Sequence, residues 1–317
     1  MEKVYEDSTQ REVETRMKIA AGIVTYNPDI VRLQENIDAV LNQVEYLIIV
    51  DNASKNKDMW LEKLVDIEKV TILQNDTNEG IAKALNQIVE CSGKLDCEWT
   101  LTLDEDSVVP VNMIEEYKKY IDMDRVAMIV PVIEDRTMDV IDVDGAIKMH
   151  HEYVDTAITS GTLMNNQVWT EVGGFTEELF IDYVDFDYCM KLKKSQYKIL
   201  RVNSVHLLHE LGNASEIKLF TFLGTVFFWC PPIGRRFREL RYTTNHSAER
   251  LYYVTRNQYY YMNQYKEYID IPKMKRGMKI GWVVKLIFEK NRLKKWKAIR
   301  KGIRDGKNMC KNYRKRR

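Results

Sequence analysis

Asp104 and Asp106 stand one residue apart, directly after the apolar run 99–103 (WTLTL). Side chains of a strand alternate in direction, so carboxylates at i and i+2 leave a strand end on the same side. A hard divalent cation takes one or two carboxylates and completes its shell with phosphate oxygens and water. The pair, with Glu105 between and Ser107 after it, is therefore a candidate for holding a metal against a diphosphate. An acidic surface loop is the plain alternative, but two charges at a buried strand end are costly without a cation. A second acidic stretch, residues 180–187 (FIDYVDFD), carries Asp182, Asp185 and Asp187. One such carboxylate can act as a general base toward an attacking hydroxyl; the others suit the first turn of a helix that becomes basic toward Lys194.

Asp51 ends the apolar run 46–50 (YLIIV). A carboxylate there can accept from a nucleobase N–H or a ribose hydroxyl, or shape a turn with Asn52 and Ser54. Residues 75–86 (NDTNEGIAKALN) combine a turn, Gly80 and a helix start. Free N–H groups at a helix start suit phosphate or sugar oxygens; capping by Asn78 is the structural alternative. His206 and His209 follow the strand-like run 199–205, and either can ligate a metal or contact a diphosphate.

These residues need a frame. Residues 18–25 read as a buried strand opening into Tyr26-Asn27-Pro28, and 29–44 show apolar residues at helical spacing. A second strand over 46–50, a helix over 59–67, a third strand over 70–73, a helix over 80–91 and a fourth strand over 99–103 follow. Strands alternating with helices predict a mainly parallel sheet covered on both faces, with ligands bound beyond the carboxyl ends of the strands. Asp51, Asn75 and Asp104 all fall there. The second half is less regular: a strand over 127–132, loop and strand pieces over 159–168, and a helix over 182–194.

The chain has 317 residues, 45% of them hydrophobic, enough for one large α/β domain with an appendage. No run of about 20 apolar residues is present, so no membrane-spanning helix is expected, and the polar start lacks the apolar core of a signal peptide. Five scattered cysteines without a CxxC pair suit free thiols in a reducing cytoplasm. The net charge of +1 conceals an asymmetry: from Lys273 onward, 19 Lys/Arg face only Glu289 and Asp305, giving +17 there and −16 elsewhere. This tail, with Trp282 to Phe288 between basic residues, reads as a basic amphipathic helix on an anionic leaflet. RNA binding is the competing use of such charge, but no stacking platform or RNA-binding motif is evident. Arg250, Tyr253 and Asn257 share one side of a helix in 246–257, where Arg250 and Arg256 could clamp a diphosphate or the helix could simply pack back on the domain.

Taken in order, Val24-Thr25-Tyr26-Asn27-Pro28, Val50-Asp51-Asn52-Ala53-Ser54, Asn78-Glu79-Gly80-Ile81-Ala82, Leu103-Asp104-Glu105-Asp106-Ser107, Ser160-Gly161, Gly173-Gly174-Phe175, residues 180–185, His209-Glu210-Leu211-Gly212 and residues 252–257 resemble the family 2 glycosyltransferases, in particular the bacterial rhamnosyltransferase group. The resemblance spans roughly residues 18–265. It implies a GT-A nucleotide-binding fold, a mixed but mainly parallel sheet with helices on both faces, plus a helical basic C-terminal extension. It implies a donor site of Thr25, Tyr26, Asn27, Asp51, Asn78, Gly80, Lys83, Asp104 and Glu105, and Mg²⁺ or Mn²⁺ at Asp104, Asp106 and His209. It also implies an acceptor side of Ser160, Gly161, His246, Arg250 and Arg256. The family pattern places Glu-Asp before the helix; Val184 replaces that Glu here, which points to Asp185 as base with Asp182 as alternate. Glu105 stands where the rhamnosyltransferase group often has Gln.

The expected division is a polar segment 1–17, a catalytic domain 18–218, an aromatic-rich acceptor-side region 219–272 and a membrane-associating tail 273–317. The resemblance implies an inverting, metal-dependent transfer from dTDP-β-L-rhamnose to a lipid-diphosphate-linked saccharide during cell-surface polysaccharide synthesis. Its setting would be the cytoplasm, peripherally at the inner face of the membrane, without nucleic acid and with a homodimer as an open option. UDP-linked glucose, galactose, N-acetylglucosamine or galactofuranose are the alternative donors. A non-catalytic nucleotide-sugar-binding or membrane scaffold protein is the alternative of another class, against which the intact acidic cluster argues.

Overall fold

The computed structural model describes residues 17–135, 149–209, 215–227, 230, 234, 237 and 240–315. Short apolar runs form β1 (Ile19–Thr25), β2 (Tyr46–Asp51), β3 (Val70–Gln74) and β4 (Trp99–Asp104). Between them lie α1 (Ile30–Leu41), α2 (Asp58–Leu61) and α3 (Ile81–Lys94). α1 begins where the Asp29 carboxylate accepts from the backbone N–H groups of Val31 and Arg32, an N-cap that satisfies donors otherwise left without partners. Then come α4 (Met113–Lys118), β5 (Val126–Asp135), β6 (His151–Val154), β7 (Thr162–Asn165), α5 (Asn166–Val172), a 3₁₀ turn (Glu177–Leu179), α6 (Val184–Lys194) and β8 (Lys198–His209).

The eight strands form one sheet in the order β3-β2-β1-β4-β7-β5-β8-β6. β3, β2, β1 and β4 run parallel; β7 is antiparallel to both β4 and β5, and β5 is parallel to β8. Thr25, Asp51, Gln74 and Asp104 therefore end on one edge, and the Ser160-Gly161 turn that precedes β7 arrives at the same edge. This is the α/β architecture expected from the strand–helix alternation. β6 has no counterpart in the sequence reading, and residues 166–168 begin a helix rather than continue a loop.

Strand alternation sorts the core. Ile19, Ala21, Ile23, Leu47, Ile49, Trp99, Leu101 and Leu103 pack with Leu33, Ile37 and Tyr117 on one face. Ala20, Val24, Ile48 and Val50 pack with Leu85, Ile88, Tyr188 and Leu192 on the other. Thr100 and Thr102 interrupt the second face, and their buried hydroxyls bond Asn166 and the Thr159 carbonyl. Gly22 lies under α3, where a Cβ would stand 2.1 Å from the Ile88 side chain, so this helix reaches the sheet only because β1 carries a glycine there.

The remaining chain forms β9 (Ser215–Glu216), α7 (Lys218–Val226), β10 (Tyr242–Thr243), α8 (Ala248–Gln264), α9 (Ile271–Phe288) and α10 (Arg292–Lys315). The tail read from sequence as one membrane-associating segment is thus two helices. Lys295, Ile299, Gly302, Gly306 and Cys310 mark one buried face of α10, and that face lies along α8. It is occupied by protein and is not presented to a bilayer. No described helix is long and apolar enough to cross a membrane, and none of the five cysteines forms a disulfide. The polar segment 1–16 and residues 210–214 lie outside the described residues.

Gly22→Val should lower unfolding stability by about 1–3 kcal/mol, the usual cost of overpacking, measured as a urea midpoint. Ile88→Ala on that background should recover part of the loss. An unchanged midpoint in Gly22→Val would refute the close approach.

Candidate active site

β4 delivers Asp104, Glu105 and Asp106 to the sheet edge, and two neighbours fix the turn that follows. The Asn36 amide donates to the Asp104 carbonyl at 2.8 Å. The Asp104 N–H donates to Ser160 Oγ at 3.2 Å, and Ser160 Oγ shares a 2.6 Å bond with Ser107 Oγ. Ser160 is fully buried, and the Gly161 N–H donates to the Thr102 carbonyl. Both residues brace the acidic turn through these bonds; the sequence reading places them on the acceptor side. Glu105 turns back to accept from the Tyr26 N–H at 2.8 Å. Burial, reinforced by the charges of Asp106, Asp104 and Asp51, pushes its carboxyl up to about 7.

Asp51 has no exposed surface. Its carboxylate accepts from the Thr25 hydroxyl at 3.2 Å and from the Ser54 N–H at 3.2 and 3.3 Å. Asp51 thus builds the turn, with Thr25 equally buried beneath it, at the strand end where the sequence reading places the donor. The Asn27 N–H donates to Ser54 Oγ, and Asn27 Oδ1 accepts from the Lys55 N–H. Tyr26 is left 49% exposed at the rim. Asn52 links this turn to the next loop, accepting from Asn75 and from the Glu79 N–H and donating to Asn78.

Gly80 and the start of α3 show the capping that the sequence reading held as its structural alternative. Asn78 Oδ1 caps the Gly80 N–H, and the Ile81 N–H donates to the Phe180 carbonyl at 2.7 Å. A Cβ on Gly80, at φ +85°, would stand 2.6 Å from that same carbonyl. The first N–H groups of the helix start are thus engaged by Asn78 and by the acidic loop. Lys83 lies beside it in a 2.9 Å ion pair with Glu79.

Phe180, Asp182 and Tyr183 all have φ between +63° and +68°. Left-handed backbone costs a residue with a side chain about 1 kcal/mol or more, and this run explains why α6 starts at Val184 and not at Asp182. The loop separates the three carboxylates into three roles. Asp187 is fully buried and accepts from the Thr176 hydroxyl at 2.6 Å and the Tyr265 hydroxyl at 2.7 Å. Asp182 is ion-paired with Arg250 at 3.1 Å. Asp185 is half-buried, accepts from the Phe186 N–H at 2.8 Å, and has its carboxyl pushed up to about 6 by burial, with Asp182 and Asp104 adding to the rise. The acidic loop and the β4 turn therefore sense each other's charge.

On the acceptor side, Arg256 is engaged within the fold. It donates to the carbonyls of Glu178 and Leu179 and stacks over the Tyr253 ring, 4.9 Å from its centroid. His246 has its pKa driven down to about 4 by burial and by the charges of Lys285 and Arg250, so it is neutral near pH 7. Arg250, half exposed, is held in its ion pair with Asp182. His206 points away, with Nδ1 2.7 Å from Glu134.

The donor set at the β4 end fits a hard divalent cation. Carboxylates at 104 and 106 are two oxygen groups of the type Mg²⁺ or Mn²⁺ takes together with diphosphate oxygens, and their charges, which add to the burial-driven rise of Glu105, are ones such an ion would offset. Among the described residues no three His, Cys, Asp or Glu side chains are clustered to hold a metal without a ligand. The side chain of His209, the expected third ligand, lies outside the described residues, though its backbone ends β8 at this edge.

Comparison with known proteins agrees with this geometry. Residues 21–183 match the model of glycosyl transferase family 2. A dTDP-rhamnosyl transferase, RfbF of Shigella flexneri, is 32% identical over 210 residues, covering 62% of this chain and 70% of that protein. Among solved structures, Staphylococcus aureus TarS 1–349 in complex with UDP-GlcNAc superimposes with a TM-score of 0.55 at 14% identity, over 92% of this chain and 80% of that one. GalNAc-T7 with UDP, GalNAc and Mn²⁺ gives the same score and identity over 84% of this chain, which spans 55% of that protein. The chain belongs to the family 2 glycosyltransferases and has their GT-A fold. It is an enzyme that uses a nucleotide-sugar donor.

A raised carboxyl has a consequence for stability. Folding lifts Asp185 from an ordinary 3.8 to about 6, so the folded state holds this proton more tightly than the unfolded one. Its ionised form costs stability above about pH 6 and costs nothing below about pH 4. Asp185→Asn should therefore be more stable than wild type at pH 7.5, with the advantage shrinking toward pH 4. Chemical denaturation at the two pH values measures this; equal stability at pH 7.5 would contradict it.

Proposed function

We propose that this enzyme transfers L-rhamnose from dTDP-β-L-rhamnose to a lipid-diphosphate-linked saccharide, with inversion, for a cell-surface polysaccharide. The observation that carries the chemistry is the Asp185 carboxylate, half-buried, raised to about 6 and electrostatically coupled to Asp104 of the β4 turn. A base of that strength is ionised near pH 7 yet takes a proton more readily than a solvated aspartate. It would accept the acceptor hydroxyl proton as that oxygen attacks the anomeric carbon from the face opposite the diphosphate. One displacement inverts the configuration and needs no covalent intermediate. Asp104 and Asp106 would hold Mg²⁺ or Mn²⁺, which when bound supplies charge that stabilises the departing diphosphate. Tyr26, Asn27 and the turn shaped by Asp51 would border the donor, with Lys83 nearby. Arg250 and neutral His246 would border the acceptor.

The donor assignment rests on the 32% identity to the Shigella dTDP-rhamnosyl transferase. A UDP-sugar is the second reading, supported by UDP ligands in both structural neighbours. A lipid-linked acceptor suits a membrane surface. Val283 and Ile287, 55% and 51% exposed and one helical turn apart on α9, lie among exposed Arg276, Lys279 and Lys290, as in helices that rest on anionic lipid. The catalytic region 18–218, the acceptor-side region 219–272 and the basic region from 273 remain the working division.

Asp185→Asn should lower kcat by at least about 1000-fold, within the span seen when a base is removed, while calorimetric affinity for the donor stays within about twofold. Full activity in that variant removes the base assignment. In wild type, kcat/KM should rise with pH through about 6 as Asp185 ionises. Across dTDP-β-L-rhamnose and a panel of UDP-sugars, the rhamnosyl donor should give the largest thermal stabilisation and the fastest turnover; preference for a UDP-sugar would transfer the assignment to the second reading. EDTA should abolish turnover and Mn²⁺ or Mg²⁺ restore it, and activity indifferent to EDTA would remove the metal.

A further inference from the structure

We infer that Asn257 is the positioning residue of the acidic loop, and that α10 sets the loop's shape through α8. The inference rests on the reading of Asp185 as base. The Asn257 side chain is fully buried, and its amide nitrogen lies 2.8 Å from each of the carbonyls of Leu179, Ile181 and Asp182, so one of its two N–H groups is shared between two of them. One NH₂ group thus gathers three backbone acceptors of a segment that otherwise meets the start of α3 through the Phe180 carbonyl. It does so where φ is left-handed at Phe180, Asp182 and Tyr183, a conformation that persists only when its surroundings over-determine it.

Other residues of α8 act on the same segment. Tyr253 stacks on Phe180 at 4.8 Å, with 16° between the rings. Gln258 donates to the Tyr183 hydroxyl at 3.1 Å, and Arg256 donates to the Leu179 carbonyl at 3.0 Å. Arg250 meets Asp182. The far side of α8 is seated on α10 with almost no gap. A Cβ on Gly302 would stand 2.8 Å from the Tyr252 carbonyl, and one on Gly306 2.6 Å from the Arg256 carbonyl. Glycines four residues apart share a helix face and let two backbones approach closely, as small-residue stripes do elsewhere. Residues 252 and 256 thus meet α10 through their backbones while Arg256 and its neighbours Tyr253 and Asn257 hold the loop with their side chains. A shift of α8 would move both.

The reacting groups must be placed to within a fraction of an ångström, so displacing the loop should reduce turnover more than binding. The experiment compares wild type with Asn257→Ala, Gly306→Ala and Asp185→Asn, using the donor selected by the screen above, dTDP-β-L-rhamnose first. Asn257→Ala should lower kcat about 10- to 100-fold with donor KM within about twofold, and should speed hydrogen exchange at residues 179–185 while exchange in β1 to β4 stays protected. Gly306→Ala, remote from any reacting group, should reproduce a smaller kcat loss with the same unchanged KM. Folded Asn257→Ala with wild-type kcat overturns the inference. So does a fall in kcat and donor affinity together that tracks a lower thermal midpoint, which would make Asn257 a support of the fold alone. Asp185→Asn separates the two readings. If it remains active, the base assignment has failed; if it is dead while Asn257→Ala is fully active, the positioning inference has failed.

Discussion

Asp104, Glu105, Asp106 and Asp185 are brought to one edge of one sheet, and like charges at that range disfavour each other's ionised forms. Burial is what chiefly pushes Glu105 up to about 7 and Asp185 up to about 6, and the neighbouring carboxylates add to it. Much of the surrounding structure is occupied with holding them there. Asn36 and Ser160 fix the backbone of the β4 turn. The Tyr26 N–H draws Glu105 toward the end of β1. Arg250 pairs with Asp182, whose charge still adds to the rise of the Asp185 carboxyl. The arrangement keeps the carboxylates close at a cost to the free enzyme, a common property of sites prepared for a cation and a diphosphate.

The first half of the molecule was legible because its signals are local. Apolar runs of five or six residues and helical spacing between them place β1 to β4, α1 and α3 to within a few residues, while the helix read over 59–67 is only the short α2, Asp58–Leu61; the position of Asp104 and Asp106 follows. The functional partition of the second acidic stretch was not legible. Composition offers Asp182, Asp185 and Asp187 as equivalents, and the contacts that distinguish them come from Arg250, the Phe186 N–H and Tyr265. Left-handed backbone at Phe180, Asp182 and Tyr183 has no signature in sequence either, since none is glycine or asparagine.

Several residues that motif order assigns to ligands are used by the protein itself. Asp51 and Thr25 close a turn, Ser160 and Gly161 brace the β4 turn, and Arg256 binds backbone carbonyls. A motif records which residues a site cannot do without; it does not separate those that touch the ligand from those that shape the residues that do. Phe180 makes the point most sharply. Its carbonyl terminates α3 and its ring stacks under α8, so the donor-side loop and the acidic loop are joined through one hydrophobic residue.

The seating of α8 on Gly302 and Gly306 also bears on how the enzyme is made. Closing so long a loop costs little in equilibrium terms, because the entropy grows only with the logarithm of length. The order of events is another matter. Gly302 lies roughly 120 residues downstream of the acidic loop, which at ribosomal speeds is roughly ten seconds of synthesis. The sheet and the β4 turn can settle in that interval, while the acidic loop must wait for the helix that backs its own support. A nascent chain therefore has the strands of its β4 edge early, while the backing of its acidic loop arrives only with the last helix.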